Sequence, residues 1–242
     1  MLGIIKTMSN YRLLKIESSS RLSGSPTDFK ITLPRALQKG SEYKLMYAHI
    51  PQSYFNVDST NNIFSIDYQN TDALIEVPVG YYTASSLATA LETALNQEMA
   101  PSYTVTVTFD EGTQRITIDS PDITFAVKME DYRDNPFGFE SNTAKTYSHS
   151  GTSIVNLERY QHLCLDINDI VEVEGIGFGS TFCIPADENI LSVVSYSPEK
   201  HFPQTVTITN DTKVMHVKLK DKHNQIIDLR EADWFFILSV VH

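Results

Sequence analysis

Little in this sequence is of the kind that usually carries chemistry. Cysteine occurs twice, at Cys164 and Cys183, without metal-type spacing, which leaves either two reduced core thiols or one disulfide. No Gly-x-Ser-x-Gly, His-Glu-x-x-His or Cys-x-x-Cys is present, so the familiar nucleophile, zinc and dithiol signatures are missing. Positive charge is scarce: 19 Lys and Arg stand against 30 Asp and Glu, a net charge of −11. Such a surface repels phosphate and argues against specific nucleic-acid binding. The opening Met1–Met8 holds Leu2, Ile4 and Ile5 but no signal-peptide core. The longest apolar run, Trp234–Val241, is broken by Ser239 and is too short to span a bilayer. The expectation is a soluble protein made in a cytosol, with no membrane span. Internal repeats and an obvious linker are lacking as well.

What is present is a packed core in outline. Hydrophobic residues make up 41% of 242, too many for a disordered chain. The stretch Asp72–Lys128 reads strand, helix, strand, turn, strand, strand. Thr83 offers a cap, and Leu87, Leu91 and Leu95 recur four apart, which predicts an amphipathic helix over about 83–97. Tyr103, Val105, Val107 and Phe109 alternate with threonines as a half-buried strand does. Asp110-Glu111-Gly112 predicts a turn with Gly112 at positive φ. Elsewhere the alternation predicts strands at Tyr11–Glu17, Asp28–Leu33 (closed by Pro34), Ser41–Ile50, Ile63–Tyr68, Tyr160–Ile170, Gln204–Thr209, Thr212–Leu219 and Trp234–Val241. Ser41–Ile50 is apolar or aromatic on both faces, which predicts cover on both. The polar stretch Asn142–Ser153 reads as a mobile loop. About a dozen strands and one helix indicate an antiparallel sandwich or barrel. We divide the chain into an arm, 1–10, and one domain, 11–242.

The candidates for chemistry are thin. His162, Cys164 and Asp166 alternate on one strand and could approach a metal, but no fourth ligand stands nearby. A solvated or interface face suits them better. Gly175-Ile176-Gly177-Phe178-Gly179 resembles part of a phosphate loop without the helix that should follow it. Asn210-Asp211-Thr212 is a glycosylation sequon that reads as an ordinary turn. We therefore assign no catalytic, cofactor-binding or metal residue, and expect no cofactor and no enzyme.

Taken in order, several segments resemble a known family. Ser18-Ser19-Ser20-Arg21 followed by Asp28-Phe29-Lys30-Ile31-Thr32-Leu33-Pro34 is similar to the opening of single jelly-roll capsid proteins of double-stranded DNA viruses. Ala48-His49-Ile50-Pro51-Gln52-Ser53-Tyr54-Phe55-Asn56-Val57 and Asn61-Asn62 are similar to an "iPxxxYNi…NN" passage, with Phe55 inserted. Val77–Thr83, Phe137-Gly138-Phe139 and Val217–Leu229 fit further elements, and Glu130–Ser153 matches least. The chain resembles the penton, or vertex, protein of virophages, polinton-like viruses and related viruses of the double jelly-roll lineage. The resemblance implies a single jelly-roll β-sandwich with one embedded helix. It implies a virion component, made in the host cytoplasm, that forms a homopentamer at icosahedral vertices among double jelly-roll major capsid proteins, with minor capsid proteins as further partners. On that picture Met1–Asn10 tethers the subunit to its neighbours. Two other classes compete. A receptor- or glycan-binding spike module would need exposed aromatics, with Tyr132, Phe137, Phe139 and Tyr147 as candidates. A cupin-like enzyme would need a His and carboxylate cluster, for which only His162 has suggestive neighbours.

Overall fold

A computed structural model describes residues 11–99, 101–129, 135–142, 144–167, 182–186, 192–199, 204–208 and 210–241. The arm Met1–Asn10, Tyr132 and the glycine run Gly175–Gly179 lie outside the described residues. In chain order the strands are β1 (Tyr11–Glu17), β2 (Ser23–Ser25), β3 (Asp28–Leu37), β4 (Glu42–Pro51), β5 (Ile63–Tyr68) and β6 (Thr71–Glu76). The helix α1 (Ala84–Met99) follows, then β7 (Thr106–Asp110), β8 (Arg115–Asp119), β9 (Phe125–Lys128) and β10 (Ser148–Ser150). The last six are β11 (His162–Ile167), β12 (Phe182–Pro185), β13 (Val193–Tyr196), β14 (Thr205–Thr207), β15 (Thr212–Lys220) and β16 (Phe235–Val241).

The chain gathers into two compact units, and the second, Phe55–Arg159, is inserted between Tyr54 and Tyr160 of the first. Each unit has its own hydrophobic cluster.

The first unit is the jelly roll. One sheet runs β1-β16-β4-β13, with β14 also on β4, and the other runs β12-β11-β15-β3-β2. All of the pairings are antiparallel. Successive strands switch sheets (β1 to β3 to β4, then β12 to β13, β15 to β16), which is the Greek-key winding of this fold. Period-two patterning supplies the core: Phe29, Ile31 and Leu33 from β3, Leu163, Leu165 and Ile167 from β11, and Phe236, Leu238 and Val240 from β16 are all buried.

Two expectations fail here for a local reason. Strand β4 is fully buried on one face only; among the described residues its other face is partly buried or exposed. The register with β16 skips between Ile237 and Leu238, leaving Met46 as an extra residue. That bulge changes the phase, so Tyr43 and Leu45 before it and Ala48 and Ile50 after it all face the core. Pro34 does not close β3 either. It falls opposite the irregular stretch between Thr212 and Val214 of β15, where no ladder N–H is needed. Its carbonyl accepts from Lys213 Nζ at 3.0 Å.

The second unit holds two three-stranded sheets, β6-β5-β9 and β10-β8-β7, and α1. The helix buries Leu87, Ala88, Leu91, Leu95 and Met99. Thr83 caps it, with Oγ1 accepting from the Ser86 N–H at 3.2 Å and Ser86 Oγ accepting from the Thr83 N–H at 2.9 Å. Flanking that buried face, the helix engages the start of β7: Asn96 takes both the N–H and the carbonyl of Val105 at 2.8 Å, and Glu92 accepts the Val107 N–H at 2.8 Å. The β7–β8 turn differs from expectation. Positive φ falls on Gln114, at 57°, not on Gly112. The turn is organised by Asp110, whose Oδ1 accepts from the N–H groups of Gly112 and Thr113.

Asn142–Ser153 is not a free loop. It contributes β10 to the edge of β8, and Thr146 bridges Phe125. A polar edge strand needs only backbone partners, so it leaves no apolar rhythm to read.

Candidate functional site

The face bearing His162, Cys164 and Asp166 is built by β11 between β12 and β15. The three side chains share it as the alternation predicts, but they do not converge on one point. Asp166 is taken by Lys220, whose Nζ donates to Oδ2 at 2.6 Å. Cys164 is buried, where the sequence reading expected a solvated or interface face, and it stands directly opposite Cys183 of β12. Burial and the neighbouring Cys164 sulfur push the Cys183 thiol above its ordinary value. Burial, and then the nearby Lys222 charge, push His162 below its ordinary value, which Asp221 partly offsets. Among the described residues no group of three or more His, Cys, Asp or Glu is placed to hold a metal ion.

The aromatic candidates of a binding loop separate. Phe137 and Phe139 are buried, each edge-to-face with Phe64 at ring distances of 5.5 and 5.4 Å. Asn135 holds their turn, accepting the Phe137 N–H at 2.9 Å and donating to the Phe139 carbonyl at 2.6 Å. Gly138 sits at φ +78°, and a Cβ there would stand 2.5 Å from the Ser153 carbonyl oxygen. Tyr147 alone of the described three is exposed, at 58%. This is a correction: two of the proposed exposed aromatics are core.

The segments that carry the family resemblance are splints. Ser18 Oγ donates to Asp233 Oδ1 at 2.7 Å and accepts the Trp234 N–H at 3.0 Å, and Arg21 donates to the same carboxylate at 3.2 Å. The turn after β1 is thereby fastened to the residues that lead into β16. Asn56 grips Tyr82, donating to its carbonyl at 2.7 Å and accepting its N–H at 2.9 Å. Asn62 donates to the Val77 carbonyl at 2.9 Å. These amides are buried and engaged with backbone, so none is offered to a ligand.

What the jelly roll does offer is a surface. On the face of the β1-β16-β4-β13 sheet away from its core, Tyr11 and Leu13 are 57% and 59% exposed and Val241 39%. The register sets Tyr11 beside Val241 and Lys15 beside Ile237 on that face. Phe235 anchors it, stacked on His49 at 5.1 Å, with Lys15 Nζ 4.5 Å above its ring. β1 is the outer strand of its sheet. Sequence reasoning found the excess of apolar residues on the last strand, but not that Tyr11 and Leu13 of β1 are the most exposed apolar residues of this face.

No family model and no curated protein matches the sequence. Among solved structures, the penton protein of mavirus is similar in fold: the TM-score is 0.51 at 12% identity, over 96% of this chain and 99% of that one. The chain thus has the fold that the sequence resemblance implied, a jelly roll similar to a virophage penton protein.

Proposed function

We propose that this chain is a structural capsid protein, a vertex subunit that assembles as a homopentamer among double jelly-roll major capsid proteins. The observation that carries this reading is the likeness to the mavirus penton protein along 96% of the chain. A ring requires two different complementary patches on each subunit, because its contacts run head to tail. We assign one of them to the exposed apolar face of β1 and β16, beside the edge of β1, which is the outer strand of its sheet among the described residues. Met1–Asn10, which lies outside the described residues, is assigned the role of tether to neighbouring capsomers. Synthesis in the host cytoplasm, residence in the virion and contact with minor capsid proteins complete the proposal. It assigns no catalytic role.

The test is direct imaging and sizing of the purified protein, where fivefold rings are expected. Leu13→Lys should leave the melting temperature within about 2 °C of the parent, as surface changes usually do, and abolish the rings. A monomer that binds sugars on a glycan array would overturn the proposal.

A further inference from the structure

The edge strand β12 carries a feature that the capsid reading does not use. Cys183 lies opposite Cys164 in antiparallel register, so the two side chains project from the same face of the sheet. The backbone of Cys183 is turned away from β11: its N–H donates to Gln204 Oε1 at 2.6 Å, and its carbonyl accepts from Gln204 Nε2 at 2.5 Å. In an antiparallel ladder a residue's N–H and carbonyl point to the same side. The Cys164–Cys183 pair is therefore of the narrow, non-hydrogen-bonded type, in which Cα atoms stand about 4.5 Å apart and side chains are closest. That separation falls within the range that a disulfide accepts. The structure records both residues as thiols, Cys164 buried and Cys183 partly accessible.

We infer that Cys164 and Cys183 are a built disulfide site, which closes when the folded protein meets a thiol oxidant such as glutathione disulfide. The accessible Cys183 thiolate attacks one sulfur of the oxidant, forming a mixed disulfide and releasing one glutathione thiolate. The Cys164 thiolate then attacks the Cys183 sulfur, forming the Cys164–Cys183 bond and releasing the second glutathione. The cysteine pair gives up two electrons, glutathione disulfide accepts them, and the two thiol protons end on the released glutathiones. The product adds a covalent link between β12 and β11 to their backbone pairing. Gln204 already fixes the other side of Cys183, so closing the bond needs little backbone movement. The inference concerns the jelly roll itself and stands whether or not the chain builds vertices.

The experiment uses the full-length folded protein incubated with glutathione disulfide, then denatured without reductant and analysed by intact mass and peptide mapping. The expected result is a monomer lighter by two hydrogens, with reactive thiols falling from two per chain to none and a linked Cys164–Cys183 peptide. Its melting temperature should rise by several degrees and return on reduction. Cys164→Ser should stop at the mixed disulfide and carry one glutathione on Cys183. Unreacted thiols in the folded parent, a persistent glutathione adduct on the parent, or disulfide-linked dimers would each overturn the inference. The parent's own mass decides the matter even if Cys164→Ser fails to fold.

Discussion

Ser18 shows how much of this fold hangs on single polar atoms. One hydroxyl satisfies the Trp234 N–H and engages Asp233, at a position with no exposure to water. Ser18→Ala removes the acceptor and leaves a buried N–H unpaired, which should cost about 1–3 kcal/mol and be read as a lower melting temperature. Asp233→Asn should cost less, because Trp234 keeps its partner. The serine and asparagine positions stood out in the sequence only through their resemblance to a family pattern. Their role was not legible, because hydrogen bonds between residues 215 positions apart, as for Ser18 and Asp233, leave no local rhythm. Tyr43 is the opposite case. Its place on an apolar strand was clear, and burial raises its hydroxyl well above the ordinary value, with Arg12 opposing.

At the scale of elements, legibility followed periodicity. The Leu87, Leu91 and Leu95 stripe placed α1 to within two residues at its end, since a stripe four apart can be buried only by a helix. Leu91→Ala should cost about 2–5 kcal/mol, measured by chemical denaturation, because Leu91 has no exposure and its cavity cannot be filled from solvent. Where the ladder breaks phase the sequence misled: at Met46 in β4 a bulge makes one buried face look like two, and in β3 Pro34 sits in an irregular stretch without ending the strand. The sheet β6-β5-β9 adds a charge device that no pattern announced. Asp67 and Asp72 face each other across strands, an unfavourable pairing, and Lys128 bridges both while Lys145 reaches Asp67 at 2.8 Å. The Lys145 hydrogen bond, with Lys128 beside it, holds the Asp67 carboxyl below its usual range despite partial desolvation. A depressed carboxyl adds stability above its unfolded pKa, about 4, and loses it as pH falls through the lower folded value. The second unit should therefore weaken below about pH 4, and Lys145→Met should flatten that acid limb while lowering stability at neutral pH. An unchanged acid limb in thermal melts of Lys145→Met would sink the assignment.

For the whole molecule the informative fact is where the second unit enters. It occupies the connection between β4 and β11, a crossing from one sheet of the jelly roll to the other. Sequence composition gave no boundary there, because neither junction is rich in glycine, proline or charge. Both ends are instead ordered. In the jelly roll, Tyr54 and Tyr160 meet edge to face, with ring centroids 4.7 Å apart. In the inserted unit, the Arg159 guanidinium, almost fully buried, pairs with Asp58 Oδ2 at 3.1 Å and donates to Thr60 Oγ1 at 2.6 Å. Each unit thus clasps its own ends and encloses its own hydrophobic cluster. Adjacent termini are the condition under which an inserted unit can be removed without disturbing its host. Replacing Phe55–Arg159 by a short Gly-Ser linker should leave a folded jelly roll with strand-type circular dichroism and a cooperative melt. The excised Phe55–Arg159 should fold by itself, with Arg159→Leu lowering its melting temperature because Asp58 loses its counter-charge. A host that loses cooperative unfolding on excision, while its isolated insert stays folded, would show that the jelly roll depends on the insert for stability, contrary to the two closed cores.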